Sequence, residues 1–250
     1  MAETFLQVRG LYKRFGGLIA TNDLRLDVDR GETHAIIGPN GAGKTTLIAQ
    51  LQGETRSDSG TVTLNGRDVT GLPAHARARL GVARSFQISS VFPEFSALQN
   101  VMLAVQAASG HNFRFWRRAQ ADRALTGQAL QALHTIGIDH RADVIVSELS
   151  HGERRQLELA MALAMKPRLL LLDEPMAGMG RQDGLRITEI LRQLKSQYTI
   201  VLVEHDMDVV FSLADRISVL VFGQCVATGT PAQISADERV RAAYLGHGDA

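Results

Sequence analysis

The sequence is poor in the features that would take it out of an ordinary reducing, aqueous compartment. It has one cysteine, Cys225, set in an apolar run near the C-terminus, so no internal disulfide can form. Its opening residues, Met1-Ala2-Glu3-Thr4, carry neither a basic segment nor an apolar one, and no signal peptide is expected there. Both absences predict a cytoplasmic protein. No apolar run reaches the roughly 18 residues that a membrane helix needs. The most tempting stretch, Leu157 to Met165, is interrupted by Glu158. The expectation is a chain that does not span a bilayer but is able to lie against something that does. Charge of one sign is lacking as well: 27 basic and 26 acidic side chains leave a formal net charge of +1, which gives no global electrostatic case for nucleic acid. Internal repeats and low-complexity stretches are absent, and the six prolines, at 39, 73, 93, 167, 175 and 231, punctuate loops. At 250 residues, the chain is long enough for one large domain or a core with an inserted subdomain.

Lysine is also scarce, at four against 23 arginines, and one of the four is Lys44. It lies in Gly38-Pro39-Asn40-Gly41-Ala42-Gly43-Lys44-Thr45, a full match to the phosphate-binding loop of nucleotide hydrolases. With glycine at about 7% of residues, such a match arises by accident in roughly one chain per hundred of this length, so context must corroborate it. Thr33 to Ile37 reads as a buried strand feeding the loop, and Thr46 to Leu51 as the helix leaving it. The glycines at 38, 41 and 43 let successive N–H groups turn inward around phosphates, and the helix N-terminus adds partial positive charge at the same place. Lys44 is expected between the β- and γ-phosphates of ATP or GTP, with the Thr45 hydroxyl on Mg2+.

Around the loop the pattern is α/β. Phe5, Leu6 and Val8, then Leu24, Leu26 and Val28, predict antiparallel strands, and Gly60 to Gly66 a strand and turn. From Ala97 to about Leu133 the period is helical, with Leu98, Val101, Met102 and Val105 on one face, and no strand is evident before Arg168. Afterwards strands at 169–172, 199–203 and 217–221 alternate with a helix near 184–195, which predicts a mostly parallel sheet covered on both faces. The expected division is a nucleotide-binding core with an antiparallel β subdomain over 1–87 and 166–250, and a helical subdomain over 88–165.

Leu169 to Leu172 is wholly apolar and ends in Asp173-Glu174. A strand of that kind is central, so its first polar residues emerge at the sheet edge that carries the phosphate loop. Two acids opening a loop are common; beside this loop they read as a Mg2+ ligand, Asp173, and a general base for water, Glu174. A second apolar strand, Thr199 to Val203, ends in Glu204-His205-Asp206, and at that edge His205 reads as a γ-phosphate contact rather than a structural histidine. Ser150, with Glu153 three residues on, forms a capping box before the helix through Leu157 and Met161.

That segment, Leu149-Ser150-His151-Gly152-Glu153, also resembles the Leu-Ser-Gly-Gly-Gln signature of ATP-binding-cassette ATPases, 20 residues ahead of Asp173. The resemblance covers nearly the whole chain. It implies the P-loop ATPase fold with its antiparallel β and helical subdomains. It also implies that Ser150 and Gly152 bind the γ-phosphate of ATP held by a partner cassette. Phe15 is similar to the aromatic on which adenine stacks, although taken alone it also suits the core. Gln87, closing Val82-Ala83-Arg84-Ser85-Phe86-Gln87, is similar to the glutamine that senses Mg2+, although alone it is also an ordinary loop residue. His151 departs from the first signature glycine, and Gly180 stands where many members carry aspartate.

Leu11 to Gly17, Arg84 to Gln87, Asp173 to Met179 and Ala243 to Gly246 resemble the branched-chain amino-acid and related urea or amide uptake ATPases of bacteria. This implies an identical or sister cassette, two membrane permease subunits, an indirectly acting periplasmic binding protein, and a place on the cytoplasmic face of the inner membrane. A lipopolysaccharide-export cassette and a soluble ATPase of DNA repair or translation remain alternatives. Phe113 to Arg118, basic and aromatic, reads as a solvated amphipathic helix end rather than a lipid or nucleic-acid contact.

Overall fold

The computed structural model describes residues 3–85, 91–109, 123–195, 197–238 and 240. Two long strands open the chain, β1 (Thr4–Phe15) and β2 (Leu18–Asp29), paired antiparallel with Leu6 opposite Val28 and Val8 opposite Leu26. The alternation expected from the sequence is realised: Phe5, Leu6, Val8, Leu24, Leu26 and Val28 are all buried. On the other edge of β1 lies β4 (Ser59–Leu64), followed by the two-residue β5 (Arg67–Asp68), so this sheet runs β2-β1-β4-β5. Asn65 and Gly66 join β4 to β5 with φ of 48° and 76°, the left-handed pair that a tight two-residue hairpin turn requires.

The second sheet has the order β10-β9-β3-β8-β7-β6 among the described residues. Its parallel strands are β3 (Thr33–Ile37), β6 (Val82–Ser85), β7 (Leu169–Asp173), β8 (Thr199–Val203) and β9 (Arg216–Val221); β10 (Gln224–Gly229) closes one edge antiparallel. Every residue of β3, β7 and β8 is buried; the apolar runs of β7 and β8 predict this for inner strands, whereas β3 also buries Thr33 and His34. Side chains alternate between faces. Leu170, Leu172, Ile200 and Leu202 join the apolar cluster beneath the helices, while Leu169, Leu171, Val201 and Val203 pack with Leu47, Ile48 and Leu51 against the antiparallel sheet. Each such side chain contributes about 1.5–3 kcal/mol by burial, so a one-residue slip of register would cost many of them at once.

The helices are α1 (Lys44–Gln52), α2 (Ala74–Arg79), α3 (Ala97–Ser109), α4 (Arg123–Ile136), α5 (His151–Ala164), α6 (Arg181–Leu194), α7 (Met207–Leu213) and α8 (Pro231–Ala236). The helical pattern after Ala97 is realised as α3 and α4, with Val101, Met102 and Val105 buried and Leu98 packed on the same cluster. The Phe113 to Arg118 stretch and the Ala243 to Gly246 ending lie outside the described residues. None of the described helices is long and apolar enough to cross a membrane.

Sequence reading passed over α2, β6, α7, β10 and α8. Four of them are six residues or shorter or lack a clear period, and β6 carries a charge, Arg84, that reads locally as a loop. For α8 a signal existed: Thr230 caps it, Pro231 occupies its first turn and Gln233 completes a capping box.

Candidate nucleotide site

Because β3 is buried throughout, the chain emerges at the C-terminal edge of the sheet at Gly38. There is no room for a side chain at that point: a Cβ on Gly38 would lie 2.1 Å from the Leu220 carbonyl oxygen, and one on Gly43 would lie 2.0 Å from that of Ala20. Gly43 also has φ of 99° as it caps α1. The loop is clamped from two sides, since Gly223 N–H donates to the Ala42 carbonyl at 2.9 Å and Asn22 N–H donates to the Gly223 carbonyl at 2.9 Å. No side chain caps the N-terminus of α1 and no acid occupies its first turn, which leaves its N–H groups for an anion.

Lys44 is 8% exposed, and its Nζ donates to the carbonyls of Gly38 (2.7 Å) and Pro39 (3.1 Å). Burial lowers its pKa, opposed by the nearby carboxylates of Glu174 and Asp173. Asn40, Gly41, Ala42, Gly43, Lys44, Thr45 and Thr46 line a cleft of about 240 Å³ together with Leu18, Ala20 and Glu174. A larger cleft, about 490 Å³ and lined by His75, Arg79, Lys166 and Arg168 among others, includes none of the loop or acid residues.

Asp173 and Glu174 leave β7 in different environments. Asp173 is 1% exposed; its Oδ2 accepts from Arg84 Nη2 at 3.0 Å and its Oδ1 has no hydrogen-bond partner. Burial raises its pKa, partly offset by the Arg84 guanidinium. Glu174 has φ of 48°, a left-handed conformation that costs a non-glycine residue about 1–3 kcal/mol and persists only when its surroundings enforce it. Here the enforcement comes from Glu174 N–H donating to the Val203 carbonyl at 2.9 Å and Ala177 N–H donating to the Glu174 carbonyl at 3.0 Å. The result is one acid held inside beside a cation and the other turned to the cleft.

At the end of β8, Glu204 is buried and accepts from Met176 N–H and His205 N–H, both at 3.2 Å. Burial raises its pKa. It ties the loop after β7 to β8, a function its sequence position leaves open. His205 is two-thirds exposed, with Nδ1 3.8 Å from Glu204 Oε2. The ring therefore projects from the sheet edge instead of being bonded into the core.

Phe15 is 50% exposed, which removes the core alternative. It stands at the tip of the β1–β2 hairpin opposite Leu18, a cleft residue, with Lys13 Nζ 5.2 Å from its ring centre. Gln87 lies outside the described residues. Ser150 caps α5, with Glu153 N–H donating to its Oγ at 3.2 Å and its own N–H donating to Glu153 Oε2 at 2.8 Å. Gly152 faces the Asp183 carboxylate so closely that a Cβ would sit 2.6 Å from its Cγ. Neither Ser150 nor Gly152 lines the cleft, so within one chain the structure does not bring the two motifs together. His151 lies near Gly178, and Gly180 caps α6 without a side-chain contact. Two residues that sequence reasoning missed belong to this site, Glu204 and Arg84. For Arg84 the available signal was slight, an arginine following two apolar residues in Val82-Ala83-Arg84-Ser85.

The model of the ABC transporter family matches residues 21–177, and that of the branched-chain amino acid ATP-binding cassette transporter matches residues 224–250. The high-affinity branched-chain amino acid transport ATP-binding protein LivG of Salmonella typhimurium is 38% identical, with 98% of this chain and 99% of that protein covered. BraF of Pseudomonas aeruginosa, of the same description, is 36% identical with the same coverage. A nucleotide-free ATP-binding cassette from an ABC transporter superposes with a TM-score of 0.85 at 26% identity, covering 98% of this chain and all of that one. Fold, loop and relatives together define the class, a P-loop ATPase of the cassette type. The chain belongs to the ABC transporter family, as its nucleotide-binding, ATP-hydrolysing subunit.

Proposed function

We propose that this chain powers uptake of branched-chain amino acids or related small amides across the bacterial inner membrane, from its cytoplasmic face. In this reading it docks on two permease subunits that receive substrate from a periplasmic binding protein. The relatives LivG and BraF and the match over residues 224–250 support that substrate class. A second reading, lipopolysaccharide export, is supported by LptB of Acidithiobacillus ferridurans, 36% identical over 96% of each chain.

One observation carries the mechanism: the phosphate loop and Glu174 share a cleft that excludes Ser150 and Gly152. The loop is then half a site. Residues 38–46 hold the phosphates, Phe15 stacks the adenine, and Lys44 leaves the loop carbonyls for the β- and γ-phosphates. Ser150 and Gly152 of a second cassette, identical or a sister chain, close the other side with the N-terminus of α5. Glu174 takes the proton of the attacking water, His205 contacts the γ-phosphate, and closure drives the membrane helices docked beside Gln87 and the Ile88 to Leu98 segment, with hydrolysis reopening the pair.

Mg2+ suits the residues present. Asp173 offers a buried carboxylate oxygen without a hydrogen-bond partner and Thr45 a hydroxyl at the cleft. Among the described residues no group of three or more His, Cys, Asp or Glu forms a cage. That fits an ion arriving on the nucleotide, which needs only one or two protein ligands. Bound there, it supplies positive charge that neutralises the phosphate oxygens during transfer.

The decisive experiment is light scattering of the Glu174→Gln protein with ATP. A stable dimer that retains nucleotide is expected; a protein that stays monomeric under those conditions, alone and with a sister cassette, overturns the half-site. Purification from membranes, identification of the bound subunits and uptake of labelled leucine then decide between import and export.

A further inference from the structure

Arg84 is the third residue of β6, and none of the roles above involves it. Its side chain is only 8% exposed, and its guanidinium forks between two elements. Nη2 donates to Asp173 Oδ2 at 3.0 Å; Nη1 donates to Gln52 Oε1 at 3.0 Å and to Glu54 Oε2 at 2.9 Å. Gln52 ends α1, the helix that begins at Lys44, and Glu54 lies two residues further. One rigid planar cation thus joins the strand that carries the acid to the far end of the helix that carries the phosphate loop. A lysine, with a point charge on a flexible stem, cannot hold both directions at once.

The pairing is asymmetric in a useful way. Asp173 is buried, Arg84 occupies its Oδ2, and Oδ1 is left without a hydrogen-bond partner. Carboxylates that serve metal sites are themselves oriented by hydrogen bonds from behind, and losing such a partner costs metal affinity although it never touches the ion. We infer that Arg84 is a positioning residue for Asp173: by fixing Oδ2 it leaves Oδ1 as the oxygen that receives the ion or its water, and so sets the affinity for Mg2+ arriving with ATP. The inference rests on the reading of Asp173 as the Mg2+-facing acid.

The test uses the purified full-length protein and a fluorescent ATP analogue, titrated with Mg2+ from an EDTA-treated start. In Arg84→Gln, binding in EDTA stays as in the wild type, while half-saturating Mg2+ rises about tenfold. Asp173→Asn gives a comparable rise, and the double variant no further one, because both changes remove the same oriented oxygen. Glu54→Gln, which removes only the charge of one acceptor on the other prong and leaves the Gln52 bond in place, stays within about twofold, the scatter of independent sites. Arg84→Lys restores part of the loss. An unchanged Mg2+ titration in Arg84→Gln overturns the inference, as does a double variant whose loss is the product of the two single losses. A wild-type protein that binds the analogue with no Mg2+ dependence overturns the reading of Asp173 and the inference with it. If Arg84→Gln does not fold, as shown by circular dichroism, the Arg84→Lys titration replaces it, with an intermediate shift expected and no shift overturning the inference.

Discussion

The ends of β7 and β8 are written alike and built differently. Both strands are five buried residues long, both lie at the centre of the sheet, and each is followed or closed by adjacent titratable residues, Asp173-Glu174 and Glu204-His205. At β7 the buried acid faces a cation, Arg84, and the next residue is bent into a left-handed conformation that lines the cleft. At β8 the buried acid faces two backbone N–H groups and the next residue stands out in solvent. The comparison teaches that an apolar strand ending in an acid fixes where the acid emerges, while its partners from elsewhere in the chain fix what it does: Asp173 is left one open oxygen, Glu204 is used up in holding the loop that presents Glu174.

Changes at the two ends should therefore differ in kind. The largest effect is expected from Glu174→Gln, with kcat for ATP reduced about 10²- to 10⁴-fold, the range of a general base, and nucleotide affinity retained in an equilibrium titration. Next comes His205→Ala, at about 10²-fold in kcat if the ring stabilises developing phosphate charge. An effect of His205→Ala equal to that of Glu174→Gln would erase the distinction between the two ends. Glu204→Ala should act mainly on stability, because it leaves the part-buried N–H groups of Met176 and His205 without their acceptor, at about 1–3 kcal/mol. For a chain of this size that is a fall of a few degrees in Tm, at about 2–4 °C per kcal/mol, readable by calorimetry.

The smallest and most specific effect concerns pH. Burial raises the Glu204 pKa in the folded chain, so the folded state binds its proton more readily than the unfolded state does. Its destabilising contribution is then fully present above the raised pKa and fades as pH falls towards the unfolded value near 4.5. The difference in Tm between Glu204→Gln and wild type should move in favour of the variant as pH rises from 4.5 to 8. Glu32 behaves in the opposite sense: its pKa is lowered by His34, the Asp29 N–H and Arg216 acting against its burial, so the stability it contributes is lost as pH falls through its folded value. A pH-independent Glu204→Gln difference would show that the acid is not held out of water.

Much of the site was legible before any fold was known, for local reasons. The phosphate loop is a contiguous run, the capping box at Ser150 needs only a serine and a glutamate three apart, and an unbroken apolar strand is central by its composition. Arg84 was not legible, because its meaning lies 89 residues away at Asp173. Glu204 was not either, since its partner is the backbone of Met176, 28 residues earlier. The short elements α2 and β10 were missed for a related reason: they are stabilised by what they pack on more than by their own pattern.

The sequence by itself determined that a nucleotide loop opens a helix, that two acids follow a central strand, and that glycines stand where they do. Only the tertiary structure decided why glycine is obligatory at 38 and 43, where the carbonyls of Leu220 and Ala20 occupy the space of a side chain. It also decided that β3 lies between β8 and β9, which gathers the acids beside the loop and leaves Ser150 outside the cleft. The division has a physical cause. Caps, turns and strand burial depend on neighbours within a few residues, whereas pairing a guanidinium with a carboxylate, or filling the space above a glycine, depends on which distant segments share an edge of the sheet.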